Sequence, residues 1–331
     1  MSGERPEGTA RVTELRVEEW PGQVRLDTYL RDRLGEVSRQ KIQRLIQEGR
    51  ILVDGRKVKP TYQPRVGESI VIYWPEPRPT ELIPKEVPYE VLFEDEWILV
   101  LNKPAGVAVH PSPGHEEESL VHGLLFRHGD RLSGIGGGLR PGIVHRLDLG
   151  TSGVLVVAKE DSAHQALAEQ FAGRRTQKIY DAIVCHIPKP QKGKIVAPIG
   201  RHPVHRKKMA ILPEGREAIT EYQVRETFGE KAAWVEVHPR TGRTHQIRVH
   251  MKHIGCPLWG DTVYGERANR KLSQLFQWQP GRPMLHARRL GFFHPKTGKW
   301  VEFEAPWPED FRKAIERLRQ WDHCKRPGSP D

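Results

Sequence analysis

Five prolines fall within residues 74–88 of this 331-residue chain, and they constrain its fold more than any other feature. Proline has no backbone N–H and a fixed φ, so this density disfavours both a helix and a central strand. We therefore interpret the segment as a semi-rigid linker. The chain is long enough to form a small domain before the linker and a larger one after it, each with its own core.

The residues before the linker have the pattern of a small α/β domain. Leucines at helical spacing predict a first helix, and Ser38 is placed to cap a second one. Asp54 and Gly55, between apolar residues, indicate a hairpin turn. We expect this domain to span residues 21–73, and the polar residues 1–20 to form a flexible tail.

Residues 89–318 mix strand and helix patterns. An apolar run at 97–101 predicts a buried strand, and Asp161 or Ser162 is placed to cap a helix. Because strands and helices do not alternate regularly, we expect an α+β fold with a mixed, largely antiparallel sheet and flanking helices. Residues 319–331 are expected to form a C-terminal tail.

The charge of the chain points to a polyanionic partner. Lys and Arg outnumber Asp and Glu by 53 to 42. Residues 172–213 contain ten Lys or Arg residues and one acidic residue, Asp181. A solvated surface usually mixes both signs, so this cluster favours contact with phosphates. Three scattered cysteines, a polar start and no apolar run of about 20 residues predict a cytoplasmic protein without a membrane segment.

Candidate chemistry is concentrated in residues 141–153, where His145, Arg146 and Asp148 lie in a Gly-rich turn before the apolar run 154–158. A loop that feeds a buried strand suits a catalytic side chain, because the strand holds the loop still. A surface turn without any role is the alternative that the spacing alone leaves open.

Two other patterns are weaker. His250, His253 and Cys256 are evenly spaced, but a structural zinc site usually adds a second close pair of ligands, so we expect no metal. Residues 134–138 are Gly-rich like a dinucleotide-binding loop, but no predicted strand precedes them. We expect a flexible loop there.

Taken together, the motifs of the second domain resemble the RluA-type pseudouridine synthases. The likeness lies in residues 145–148, 151–153, 178–180 and 241–250. The first domain resembles the alpha-L RNA-binding domain of the S-four type, and that likeness lies in residues 25–27, 38–39, 45–46 and 53–55.

This resemblance implies the isomerisation of uridine to pseudouridine in RNA. The reaction breaks the C1′–N1 bond, turns the uracil and rejoins it through C5, so it needs neither a redox cofactor nor a group donor. By the resemblance Asp148 is the catalytic carboxylate, as base or nucleophile, and Arg248 is its guanidinium partner. Tyr180 would stack on the uracil and take the C5 proton. The alternative for Arg248 is an ordinary strand arginine that pairs with a surface acid. The alternative for Tyr180 is a tyrosine of the core, since tyrosine favours strands in any case.

A uridine within structured RNA must leave its stack before it reacts. The resemblance implies that Arg146 fills the vacated space, and that Arg243 and His245 touch phosphate or sugar. The second helix of the first domain would lie along an RNA backbone through three basic residues, Arg39, Lys41 and Arg44.

The accessory domain accompanies the ribosomal members of the family, so the expected substrate is large-subunit ribosomal RNA and the expected role is in ribosome biogenesis. We expect a monomer. A transfer RNA uridine is the alternative substrate, and a non-catalytic RNA-binding or ribosome assembly protein is the alternative function. An RNA methyltransferase would need a Gly-rich strand–loop–helix for its cofactor, and no convincing one occurs.

Overall fold

A computed structural model describes residues 6, 9–20, 22–35, 37, 39–75, 82–112, 118–129, 131–135, 140–205 and 208–325. The chain divides into two compact units, Met1–Thr80 and Glu81–Asp331. Each unit has its own buried apolar core.

The first unit combines a four-stranded antiparallel sheet with two short helices. Its elements are β1 (Thr9–Arg16), α1 (Leu26–Leu34), α2 (Arg39–Gln47), β2 (Ile51–Val53), β3 (Arg56–Lys57) and β4 (Ser69–Pro75). The sheet order is β1-β4-β2-β3, and the helices and strands share one core that includes Leu30, Ile42 and Ile70. The predicted helices are confirmed, as is the hairpin, in which Asp54 and Gly55 both have positive φ.

The prediction of a flexible tail over residues 1–20 is wrong for Thr9–Arg16. This segment pairs with β4 in antiparallel register, and Val17, directly after it, is buried in the core. Most of its side chains are exposed, so the strand lacks the apolar alternation that marks a half-buried strand. Ser38, the predicted helix cap, lies outside the described residues.

The second unit contains eleven strands within the described ranges, and nine of them form one mixed sheet. Its strands are β5 (Glu90–Glu94), β6 (Ile98–Lys103), β7 (Ser152–Ala158), β8 (Gln177–Cys185), β9 (Lys192–Val196), β10 (Ile199–Arg201), β11 (Met209–Ile211), β12 (Ile219–Phe228), β13 (Ala232–Pro239), β14 (Leu285–Phe293) and β15 (Trp300–Glu304). Its helices are α3 (Leu120–His128), α4 (Asp161–Ala172), α5 (Gln246–His253), α6 (Glu266–Phe276) and α7 (Glu309–Lys325).

The order of the large sheet is β5-β6-β7-β14-β8-β13-β12-β9, with β15 beside β14, while β10 and β11 form a separate hairpin. Within the described part of the chain, β7 and β14 are the one pair of strands that runs parallel. The predicted α+β fold with a largely antiparallel sheet is therefore confirmed.

Strands β7 and β14 approach each other closely in the middle of the sheet. His286 lies opposite Ser152, and Ala287 lies opposite Gly153. Gly153 has a φ of +118°, and a Cβ atom there would lie 2.1 Å from the carbonyl oxygen of Ala287. Only glycine fits this position, which follows Asp148 by five residues.

The helices cover the sheet. Helices α6 and α7 enclose a core in which Trp259, Phe311 and Leu318 are fully buried. Helix α7 runs on to Lys325, so the predicted C-terminal tail is wrong for residues 319–325. No helix in the described ranges has both the length and the apolar character that a membrane crossing requires.

Two local predictions also need correction. The predicted linker, residues 74–88, begins inside β4, and its last residues belong to the second unit, where Val87 is buried and packs on α3. Helix α4 begins at Asp161 with Glu160 as its N-cap. The Asp161 carboxylate accepts hydrogen bonds from the Ser133 hydroxyl at 2.6 Å and the Gly134 N–H at 3.1 Å instead of capping the helix.

Candidate active site

A pocket of about 470 Å³ opens where the loop before β7, the first residues of β8 and the first residues of α5 meet. Its size is in the range of small-molecule sites and suits one nucleoside. Asp148 is the one carboxylate among its described lining residues. Six basic side chains also line it: Arg146, Arg174, Lys178, Arg240, Arg243 and Arg248. Such a wall favours a polyanionic ligand.

The loop that carries Asp148 is fixed through its backbone. The Asp148 carbonyl accepts a hydrogen bond from the Thr151 N–H at 3.0 Å, and the Leu149 carbonyl accepts one from the Gly106 N–H at 2.8 Å. The ammonium group of Lys103 lies 3.5 Å from the same Leu149 oxygen. The Asp148 side chain is 20% exposed, so the carboxylate faces the pocket from a rigid loop.

Lys103, which is fully buried, and Arg282, which is partly buried, are two basic residues beside this loop that the sequence did not mark as functional. Lys103 also donates to two carbonyls of the turn after β6, at 2.7 and 2.8 Å. Burial lowers the pKa of Lys103 to about 7, helped by Arg282 and opposed by Asp148. Arg282 donates to the Gly150 carbonyl at 2.9 Å and forms an ion pair with Asp310. Each also reaches a carbonyl of the Asp148 loop that is distant in sequence, Leu149 for Lys103 and Gly150 for Arg282, so local spacing does not reveal their place beside this loop.

Arg248 lies on α5 between two carboxylates. Its Nη1 is 3.6 Å from Oδ2 of Asp148. Its Nε and Nη2 donate to the two oxygens of Asp261 at 2.7 and 3.0 Å. The ring centre of Tyr264 lies 5.0 Å from the guanidinium carbon. Burial alone would lower the pKa of Arg248, but the two carboxylates raise it, so the side chain is always charged.

The alternative of a strand arginine paired with a surface acid is therefore wrong for Arg248. The residue is helical and almost fully buried, and its partner Asp261 is fully buried as well. Asp261 is a residue that sequence reasoning missed as part of the site. The signal available in the sequence was its position shortly after residues 241–250, because the likeness to the family continues from that segment to Asp261.

Tyr180 lies on β8 and lines the same pocket as Asp148. Its ring is half-buried. Burial raises the pKa of the phenol, and the negative charge of Asp148 raises it further. The phenol is therefore neutral at pH 7.

Arg146 is exposed at the mouth of the pocket, where its Nη1 lies 3.4 Å from Nε2 of His110. Arg140 reaches the same nitrogen at 3.4 Å. Burial, followed by the two arginines, lowers the pKa of His110 to about 4. The neutral imidazole therefore accepts hydrogen bonds from both guanidinium groups.

Arg243 and His245 line the pocket just before α5. Arg243 donates from Nε to the Glu217 carbonyl at 3.1 Å. His245 has a φ of +55° and begins the helix, and its Nδ1 lies 2.8 Å from the Tyr264 hydroxyl. Both side chains thus have partners within the protein and are positioned at the pocket wall.

The basic residues of α2 lie in the first unit. Arg39 forms an ion pair with the buried Asp27 at 3.1 Å, and Arg44 forms one with Glu48 at 2.7 Å. Burial alone would raise the pKa of Asp27, but hydrogen bonds, led by that of Gln43, lower it. The side chains of Arg39 and Arg44 are 43% and 62% exposed. The side chain of Lys41 lies outside the described part of the structure.

Both ring nitrogens of His250 have hydrogen-bond partners within the protein. The Nδ1 of His250 lies 2.8 Å from the Thr220 hydroxyl, and its Nε2 lies 2.9 Å from the Ala197 carbonyl. In the ranges that the structure describes, no group of three His, Cys, Asp or Glu side chains is arranged to hold a metal ion.

Comparison with known proteins matches each of the two units to a protein family. Residues 97–253 match the RNA pseudouridylate synthase family, and residues 24–70 match the S4 domain. An "Uncharacterized RNA pseudouridine synthase" of Chloroflexus aurantiacus is 45% identical over 89% of this chain and 90% of its own length. "Ribosomal large subunit pseudouridine synthase D" of Zymomonas mobilis is 43% identical over 89% of this chain and 93% of its own length.

Among solved structures, "Human RNA Pseudouridylate Synthase Domain Containing 4" matches with a TM-score of 0.55 and 26% identity, covering 70% of this chain and 93% of that one. The identity to the bacterial relatives extends through both units. The chain therefore belongs to the RluA-type RNA pseudouridine synthases and carries an N-terminal S4 domain.

Proposed function

We propose that this enzyme isomerises uridine in large-subunit ribosomal RNA, with Asp148 as its catalytic carboxylate. The observation that carries the proposal is the 3.6 Å separation of Asp148 and Arg248 inside a pocket lined by six basic side chains. The choice of ribosomal RNA is supported by the relative named as a ribosomal large subunit enzyme.

The reaction is an internal rearrangement of one nucleotide. The bond from C1′ to N1 breaks, the uracil turns, a bond from C1′ to C5 forms, and the C5 proton leaves while N1 gains one. Asp148 serves either as a base toward the ribose or as a nucleophile toward the nucleoside. Arg248, with Nη1 3.6 Å from the carboxylate, fixes its direction.

Tyr180 supplies a flat apolar face against which the freed uracil stacks while it turns. Its raised pKa means that it meets the substrate as a neutral phenol. To take the proton from C5, the phenol would pass its own proton to the Asp148 carboxylate in the same step. Asp148 then gives this proton to N1, so the phenol and the carboxylate are both restored and the proton count closes.

The remaining predicted residues act on the RNA itself. Arg146, exposed at the pocket mouth, fills the space that the flipped uridine leaves. Arg243 and His245 contact phosphate or sugar. In the S4 domain, helix α2 contacts the RNA backbone through three basic residues, Arg39, Lys41 and Arg44.

The decisive experiment maps pseudouridines in RNA from cells with and without this chain. The proposal predicts that at least one pseudouridine disappears from large-subunit ribosomal RNA, and that purified enzyme restores it on a transcript of that RNA. Loss only from transfer RNA would support the alternative substrate. An unchanged map with intact RNA binding would support the non-catalytic alternative.

A further inference from the structure

Lys178 differs from the other basic residues of the pocket wall because, within the described ranges, its side chain has no polar partner at all. Arg146 contacts His110 and Arg243 donates to the Glu217 carbonyl. Three of the six form ion pairs with carboxylates, namely Arg174 with Glu217, Arg240 with Glu221 and Arg248 with Asp261. Within the described ranges, the half-buried ammonium group of Lys178 has neither a hydrogen bond nor an ion pair.

The groups that influence Lys178 do not compensate its charge. Burial lowers its pKa to about 8, and the neighbouring Arg174 acts in the same direction. The nearby His145 is neutral, because its Nε2 accepts a hydrogen bond from the Val156 N–H at 3.1 Å. Burial, with Lys178 as the second cause, lowers the pKa of His145 to about 3. Lys178 is therefore still charged at pH 7 but lacks an anionic partner.

A partly desolvated cation without a counter-ion is unfavourable for the folded protein. The arrangement becomes favourable when a ligand brings an anion into the pocket. His145 stacks on Phe171, with ring centres 4.4 Å apart, and the pair forms a rigid neutral wall beside the ammonium group. The only charges in RNA are its phosphates, so a phosphate is the matching anion.

The position of Lys178 along β8 indicates which phosphate it meets. Lys178 and Tyr180 are two residues apart on one strand, so their side chains lie on the same face, about 7 Å apart. If the target uracil stacks on Tyr180, a phosphate on either side of that nucleotide comes within reach of Lys178.

We propose that Lys178 binds one phosphate that flanks the target uridine and holds the flipped nucleotide in register with Asp148. The proposal rests on the proposed function, because it requires an RNA uridine in this pocket. It does not depend on which RNA supplies that uridine. Lys178 is thus a substrate-binding residue and takes no part in the proton transfers.

The test compares Lys178→Met and Lys178→Arg with Lys299→Met, which removes one positive charge from an exposed turn between β14 and β15. The substrate is a short RNA around the uridine that the mapping experiment identifies, whether ribosomal or transfer. We expect Lys178→Met to raise KM about tenfold with kcat close to that of the wild type. Lys178→Arg should stay within about threefold of the wild-type KM, and Lys299→Met should change neither constant.

A second measurement replaces the phosphate on the 5′ or 3′ side of the target by an uncharged methylphosphonate. One of the two replacements should raise the wild-type KM about tenfold. The same replacement should leave the KM of Lys178→Met unchanged, because that variant has already lost the contact. Three results would refute the subsite. Neither replacement raises the KM of the wild type, or the effects of the replacement and of Lys178→Met on KM multiply when combined, or Lys178→Met lowers kcat and leaves KM unchanged. If Lys178→Met does not fold, Lys178→Gln, which also removes the charge, takes its place in the same comparison. A map that points to transfer RNA contradicts the proposed substrate but leaves this test intact.

Discussion

Arg248 and Asp261 are joined by two parallel hydrogen bonds, from Nε and Nη2 of the arginine to the two carboxylate oxygens. This pairing occupies one edge of the guanidinium group and leaves Nη1 for Asp148. Asp261 is itself held by backbone N–H groups of Val263 and Tyr264. The direction of Arg248 is thus set by a fully buried residue behind it.

Asp261→Asn should lower kcat about tenfold to a hundredfold while RNA affinity stays within about threefold. The amide keeps the shape of the side chain but loses the charge and one of the two bonds, so Arg248 no longer points firmly at Asp148. Single-turnover rates and equilibrium binding on one RNA measure the two effects. Glu266→Gln, which breaks an exposed pair with Arg270, is the matched control and should leave both unchanged. A loss of affinity at constant rate would contradict this role.

Asp148→Asn should abolish turnover and keep RNA affinity. The amide has the same shape as the carboxylate, but it neither accepts a proton nor attacks carbon. The measurement is pseudouridine formed in a single-turnover assay, beside the dissociation constant for the same RNA. Retention of even a few per cent of wild-type activity would exclude Asp148 as the catalytic carboxylate.

Tyr180→Phe should keep RNA affinity but lower the rate by about 10²- to 10⁴-fold, because the ring still stacks while the hydroxyl that moves the C5 proton is gone. The raised pKa of Tyr180 adds a second expectation. The neutral phenol persists above its ordinary range, so the wild-type rate should show no rise from phenol ionisation between pH 7 and 10. A Phe variant as fast as the wild type would limit Tyr180 to stacking.

Removal of residues 1–80 should weaken RNA binding and reduce its dependence on salt. Each phosphate contact contributes about 0.9 to the slope of log affinity against log salt concentration, so the loss of several contacts is measurable. Titrations at four salt concentrations, with full-length and shortened protein, give the two slopes. Equal slopes would mean that the first unit does not dock on RNA.

The buried His286 predicts a loss of stability in acid. Its Nδ1 lies 2.9 Å from the Ser152 hydroxyl and its Nε2 lies 3.1 Å from the Ala305 carbonyl. Burial lowers the pKa of His286 to about 4, although the Ala305 carbonyl opposes this. Between pH 6.5 and 4, the unfolded chain therefore binds a proton that the folded protein does not, and the free energy of unfolding falls as the pH falls.

His286→Gln should remove part of this pH dependence, on the order of 3 kcal/mol across the window. Denaturant unfolding at pH 7, 5.5 and 4.5 measures it, with the exposed His253→Gln as control. At pH 7 the variant should be less stable than the wild type, because it loses a packed side chain. If both proteins lost the same free energy between pH 7 and 4.5, His286 would not be the titrating group.

The sequence was informative where a residue's role depends on its neighbours in the chain. Helices α1 and α2, the hairpin at Asp54 and the buried strands follow from local periodicity, and the structure has them all. Strand β1 was missed because it lies at an edge of its sheet with most side chains exposed. Its pairing with β4 is a backbone interaction that apolar spacing does not reveal.

The residues of the candidate site also fall into two groups, those that local motifs predict and those that only the fold reveals. Asp148 and Tyr180 were found through motifs that include their immediate neighbours, and both line the pocket. Lys103, Asp261 and Arg282 act through partners that are distant in sequence or through backbone carbonyls. Their contribution depends on tertiary contacts, so it became visible only with the fold.

The contact between Gly153 and Ala287 divides the catalytic sheet into two lobes. Asp148 belongs to the lobe that ends with β7, whereas Tyr180 and Arg248 belong to the lobe that begins with β14. A methyl group at Gly153 would act as a wedge, because the carbonyl oxygen of Ala287 leaves no room for it. The lobes would have to part, and the gap between Asp148 and Arg248 would widen with them. A change that damages this enzyme's chemistry can therefore lie at a buried residue outside the pocket lining.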